Sequence, residues 1–180
     1  MSKAIDDLKH EHDAILSALQ ILEGMGTQVA SGKNVDKKDL HNFIGFLREF
    51  ADRCHHGKEE GILFPALIKA GMPEKGGPVG VMLSEHDQGR NLIRDMEDAI
   101  SPKLNFAKFA KAAKEYTNLL RAHIQKENNV LFVMAERVLS DDEQAELARG
   151  FEKVEIEKMG AGTHERLHAV MDKLVAEILG

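Results

Sequence analysis

Two stretches of this chain carry the same device, His55-His56-Gly57-Lys58-Glu59-Glu60 and His123-Ile124-Gln125-Lys126-Glu127, each with a histidine four residues before a glutamate. Both lie in segments whose apolar residues recur at three- and four-residue spacing. On a helix, a four-residue step sets imidazole and carboxylate one above the other on a single face. Two such faces turned toward each other in a bundle, joined by a few more histidines, make a two-metal site. The repeat therefore demands long helices packed with these faces inward.

The apolar spacing supplies those helices. Ile5, Leu8, His12, Ile15, Leu19 and Leu22 form the stripe of a first helix, expected to end at Gly24, Gly26 and the Ser31-Gly32-Lys33-Asn34 stretch. Asp36 caps a second, bearing Leu40, Ile44, Leu47, Ala51 and Ile62, which runs out near Gly71-Met72-Pro73. A third reads from about Val79 to Ile100, and Ser101-Pro102 breaks the chain. The fourth runs from Phe106 to about Leu139, with Phe109, Tyr116, Leu120, His123, Glu127, Val130 and Met134 along one seam. Ser140-Asp141-Asp142-Glu143 is an N-terminal capping pattern that opens a charged fifth helix. Gly160-Ala161-Gly162-Thr163 then turns the chain into a last helix with Leu167, Met171, Leu174 and Ile178. No alternating strand pattern occurs. The expected fold is all-α: an antiparallel four-helix bundle over residues 1–139, with a C-terminal helical extension over 140–180 packed on it.

Composition narrows the partners. A net charge of −6 without a Lys/Arg-rich run argues against nucleic acid. The start of the chain has no apolar signal core, no apolar run reaches membrane-spanning length, and the single cysteine, Cys54, fits a reducing compartment. The expectation is a cytoplasmic protein with no membrane partner.

Periodicity also tests which histidines face inward. His12 is in register with Leu8, Ile15 and Leu19; His86 falls on the seam of Val79, Met82, Leu83, Ile93 and Met96; His123 and Glu127 share the fourth seam. The second helix offers two interlocking pairs. At about 100° per residue, His55 and Glu59 line up with Ile44, Ala51 and Ile62. His56 and Glu60 point more than a quarter-turn away, toward a flank, and are expected to be exposed or to lie behind the ligands. Four inward histidines and two inward carboxylates, at least one ligand from each helix, suit iron or manganese, with zinc as a further candidate. Carboxylates able to bridge would hold two ions about 3.5–4 Å apart.

These motifs resemble the hemerythrin-like, or HHE cation-binding, family. The resemblance covers about residues 5 to 139 and rests on Glu11-His12-Asp13, on His55 through Glu59-Glu60-Gly61-Ile62-Leu63-Phe64-Pro65, on Ser84-Glu85-His86-Asp87, and on His123 through Glu127-Asn128-Asn129-Val130-Leu131-Phe132. The most similar branch is that of bacterial di-iron proteins linked to repair of iron centres after nitric oxide or oxidative stress. The resemblance implies two non-haem iron ions, carboxylate-bridged and oxo-bridged, with Glu59 and Glu127 bridging and His12, His55, His86 and His123 as terminal ligands. The oxygen-carrying members place a second histidine four residues after the third-helix ligand, where this chain has Arg90, so reversible oxygen carriage is not implied.

Three signals stand apart. His164-Glu165-Arg166-Leu167-His168 spells HExxH, the zinc-peptidase signature, in which His164 and His168 would both be metal ligands. Only a dozen residues follow it, so His164 is better read as a replacement for the histidine missing at Arg90, or both His164 and His168 as polar residues at a packed interface. Tyr116 lies two turns before His123 on the same face, in reach of a metal-bound ligand or as an ordinary core aromatic. Gly57, Gly61 and Gly89 leave room beside the metals or serve close helix packing. The function expected is binding or sensing of dioxygen, nitric oxide or peroxide in stress defence, with a homodimer as the candidate assembly. The alternatives are a di-iron enzyme or iron donor, a zinc hydrolase, and a helical module whose histidines are structural.

Overall fold

A computed structural model describes residues 3–33 and 35–159. Among them the chain is all helical, without strands, and folds as five helices packed antiparallel. The first helix is Lys3–Ala30, the second spans residues 37–69, the third is Pro78–Ile100, the fourth spans 106–138 and the fifth 141–159. Expectations about residues 160–180, including His164 and His168, lie outside the described residues.

Local chemistry sets the boundaries. The Asp36 carboxylate accepts from Lys38 N–H at 2.8 Å and the Asn105 side-chain oxygen from Lys108 N–H at 3.0 Å, each satisfying an orphan donor at a helix start. Ser140 and Glu143 close a reciprocal capping box, as the sequence pattern predicts. The second helix stops at a Schellman turn in which Gly71 N–H reaches the Ile68 carbonyl and Met72 N–H the Leu67 carbonyl, both at 3.0 Å. Gly71 takes φ +98°, and Met72 and Leu67 are buried in one apolar cluster. The first helix ends in the same way at Gly32 (φ +71°), within the Ser31-Gly32-Lys33 stretch expected to end it, and runs on through Gly24 and Gly26. Gly26 is a contact instead of a break: a Cβ there would stand 3.5 Å from Ala113 Cβ, so the glycine brings the first and fourth helices close.

The second and fourth helices are not α-helical throughout. Gly57 N–H donates to the Asp52 carbonyl, Phe64 N–H to that of Glu59, and Phe132 N–H to that of Glu127, each five residues back. The π-helical stretches are Arg48–His56, Glu59–Leu63 and Glu127–Leu131, so the glutamate of each repeated pair opens a wide turn. A π turn holds an extra residue and slips the register of everything after it. Ile62 and Val130, expected inward on α-helical spacing, are accordingly half-buried and 47% exposed, while Leu63, Phe64, Leu131 and Phe132 turn inward.

The core is two apolar clusters. One gathers Ile15, Leu19, Leu47, Phe50, Ile93 and Leu120 with their neighbours; the other gathers Ile5, Leu8, Leu63, Phe64, Met82 and Phe132, and takes Leu147 and Phe151 from the fifth helix. On each of the first four helices, the change from one cluster to the other falls at the polar residues singled out in the sequence.

Candidate metal centre

Glu11 and His12, His55, His56, Lys58 and Glu59, His86, and His123 and Glu127 are all buried. They form a polar layer between the two apolar clusters, with contributions from all four long helices. Two quartets share it: His12, His55, Glu59 and Glu127, and His56, Glu59, His86 and His123, each with donor atoms within 4.8 Å of one another.

The outward nitrogens are anchored. His12 Nδ1–H donates to Asn128 Oδ1 at 2.8 Å, His55 Nδ1–H to Glu11 Oε2 at 2.7 Å, His86 Nδ1–H to Glu60 Oε1 at 2.7 Å and His123 Nδ1–H to Glu85 Oε2 at 2.9 Å. Such bonds fix the tautomer and aim the other ring nitrogen, as around metal-ligating histidines. Inside, His12 Nε2 and His123 Nε2 approach Glu127 Oε2 at 3.1 and 3.2 Å. Glu59 divides its oxygens, Oε1 lying 3.5 Å from His55 Nε2 and Oε2 3.4 Å from His86 Nε2. Glu59 therefore offers one oxygen to each half of the layer, and a single oxygen of Glu127 faces a histidine from each half.

The donor set fits a metal. His12 Nε2, His55 Nε2, His56 Nε2 and both carboxylate oxygens of Glu59 and of Glu127 are buried and make no hydrogen bond. Leaving so many convergent lone pairs and two carboxylates unsatisfied costs on the order of several kcal/mol per ion. Mixed imidazole and carboxylate donors are the chemistry of first-row divalent metals.

Without a metal, protons fill the role imperfectly. Burial pushes His86 down, but its contacts with Glu59 and Glu60 win and raise it to about 9. His12 and His123 are also raised against burial, chiefly by Glu127. Burial pushes the Glu127 carboxyl up, yet His12 and His123 hold it well below the usual range. His56 goes the other way: burial, then the charges of His86, His55 and His123, push it well below an ordinary histidine.

Charged side chains stand behind the histidines and bond to one another. Lys58 is 0% exposed; its ammonium bonds Glu11, donates to Glu155 Oε1 at 2.7 Å and lies 5.5 Å from the Phe151 ring centroid. Burial opposes the Glu11 charge, but the His55 and Lys58 contacts hold its carboxyl down at about 2. Arg90 donates Nε–H to Asp52 Oδ1 at 2.9 Å and an NH2 proton to Glu60 Oε1 at 2.6 Å.

A family model described as the hemerythrin HHE cation-binding domain matches residues 3–135 of this chain. The chain belongs to that family. The iron-sulfur cluster repair protein YtfE of Enterobacter sp. (strain 638) is 42% identical to this hemerythrin domain over 89 residues, 45% of this chain and 40% of the relative. The proteins of the same name from Escherichia coli O1:K1 and Escherichia fergusonii are 38% identical over 106 residues, 54% of this chain and 47% of each relative. The hemerythrin domain thus spans less than half the length of these curated relatives.

The structure brings His12, His55, Glu59, His86, His123 and Glu127 together in one buried layer. Glu60 lies behind them as expected, bonded to His86 and Arg90. His56 departs from expectation. It is 3% exposed and belongs to the second quartet, not to a flank. The 100° step assumed for an α-helix fails there because Arg48–His56 is π-helical, and the wider turn lets two consecutive histidines share the inner face. Periodicity gives no role to Lys58 or Glu11; the acidic residue beside His12 in Glu11-His12-Asp13 is the available sign. Tyr116 is buried, its hydroxyl without a hydrogen bond and its pKa raised by burial. Gly61 is exposed and opens no room beside the layer, whereas Gly89 is buried against Tyr116 and Leu120. His10 and His41 are at the surface, as expected.

Proposed function

We propose that this hemerythrin domain holds two non-haem iron ions between His12, His55, Glu59, His86, His123 and Glu127 and binds or senses a small molecule. Dioxygen, nitric oxide and peroxide are the ligands of the proposal, and defence against oxidative or nitrosative stress its setting. The observation that carries it is the set of buried imidazole nitrogens and carboxylate oxygens aimed at one another without hydrogen bonds. An iron pair would supply redox equivalents and positions for a small ligand. The chain's own residues do the rest. Nδ1–H bonds lock each ring, Glu59 and Glu127 link the two halves, and apolar layers on both sides keep bulk water out.

A second reading is a di-iron enzyme or iron donor that reduces peroxide or nitric oxide or serves iron–sulfur repair; the names of the relatives, of which less than half the length is matched, favour repair. Metal analysis of the purified protein comes first. About two irons per chain supports the proposal, and a single zinc or no metal defeats it. Stopped-flow mixing of the reduced protein with dioxygen, peroxide and nitric oxide then separates the readings. A stable adduct marks a binder, and repeated consumption an enzyme.

A further inference from the structure

One imidazole in the layer has no part in that ligand set. We infer that His56 is itself a metal ligand, the fifth histidine of the centre and the third for the ion held by His86, His123 and Glu59, delivered by the wide turn of the second helix. The inference rests on the two-ion reading above.

Three observations converge on it. First, His56 has the orientation of its neighbours: Nδ1 faces outward to Asp52 Oδ1, at a long 3.4 Å, and Nε2 is buried in the layer without a hydrogen bond. A histidine retained only for packing has no reason to aim an unsatisfied nitrogen inward, because burying a polar atom without a partner costs about 1–3 kcal/mol. Second, its donor atom lies within 4.8 Å of those of Glu59, His86 and His123. The His56 ring sits 3.8 Å from that of His86 and 5.6 Å from that of His123, centroid to centroid, so the three rings pack around one point. Third, its support is built. Asp52, which faces His56 Nδ1, is itself held by Arg90 Nε–H at 2.9 Å, and Arg90 is turned toward Asp52, Glu60 and Asp87 at the rim. Arg90 steadies the carboxylates behind two imidazoles and leaves the inner position to His56.

The assignment makes the halves of the centre unequal: His12 and His55 on one side; His56, His86 and His123 on the other. His56→Asn is the discriminating variant, because the amide nitrogen takes the place of Nδ1 and keeps the Asp52 bond while Nε2 is lost. Wild type, His56→Asn, His56→Ala and the surface control His10→Ala are loaded anaerobically with ferrous iron, freed of excess metal and analysed for iron per folded chain. Circular dichroism establishes the folded fraction. The expected result is two irons in wild type and His10→Ala and one in both His56 variants, with millimolar imidazole restoring the second to His56→Ala. If His56→Asn keeps two irons and releases them to a chelator at the wild-type rate, the assignment is overturned and the two-ion reading stands. If wild type itself takes up fewer than two, both fall.

Discussion

His86 Nε2 and His123 Nε2 stand 3.1 Å apart, although each ring has already committed its Nδ1–H to a carboxylate, Glu60 for one and Glu85 for the other. Two neutral rings in that arrangement would point lone pairs at each other. Something positive has to lie between or beside them, and the choice is a proton or a metal ion.

The first prediction follows from that competition. His86 binds its proton up to about pH 9 in the metal-free fold, against an ordinary value of 6.5. A raised folded-state pKa contributes stability that is complete below the ordinary value and lost as pH climbs through the folded one. The melting temperature of the metal-free protein should therefore fall between pH 6.5 and 9. Metal affinity should rise over the same interval, because the ion displaces protons. Calorimetric titration in buffers of different ionisation enthalpy would count the protons released; none released refutes the scheme.

Lys58 and Glu11 form a buried ion pair behind His55. Lys58→Met strands a carboxylate and should cost about 3–5 kcal/mol of unfolding free energy. Glu11→Gln on that background removes the stranded charge and should restore about 2 kcal/mol. A urea double-mutant cycle reads the coupling directly, and additive losses would show that the pair does not act as a unit.

Behind His123, Glu85 accepts the ring proton at 2.9 Å and is held by Lys126. Glu85→Ala should weaken metal binding about 10- to 100-fold, the usual effect of removing an outer partner of a ligating histidine. Arg90→Gln acts one contact further out, through Asp52 and Glu60, and should sit near about 10-fold, the lower end of that range. Chelator competition ranks the two. Arg90→Gln proving the more damaging would mean that its role is not mediated by those carboxylates.

Phe132 stacks on His12, ring centroids 5.3 Å apart and 8° from parallel, and is fully buried. Phe132→Ala should lower stability by about 3–5 kcal/mol. It should also loosen the ring that faces Glu127, so that metal is lost faster even where the chain stays folded. Unchanged metal release at reduced stability would confine Phe132 to packing.

Periodicity found the inward residues wherever the helix is an ordinary α-helix. His12 in the first helix, His86 in the third and His123 in the fourth are buried where their spacing puts them. It misplaced His56, Ile62 and Val130 because all three lie in or at the edge of π turns, and a fixed angle per residue carries no record of an added residue. Gly26 shows another limit. A glycine that ends a helix and one that lets two helices touch are the same letter, and only the approach of Ala113 distinguishes them. Lys58 was illegible for a similar reason, since a lysine among charged neighbours reads as solvated until Glu11 and Glu155 are found beside it.

The wide turns of the second and fourth helices, the Arg48–His56 stretch among them, have a consequence for how such a centre can change over time. A π turn and an α turn differ by one residue, so a single-codon deletion near Gly57 would re-wind the helix and swing His56 or its neighbours off the inner face without altering any ligand. The inventory of donors facing the ions is then governed by the length of a helix as much as by its lettering. Descendants of such a chain could exchange one chemistry for another by a shift in count, with every histidine still in its place in the gene.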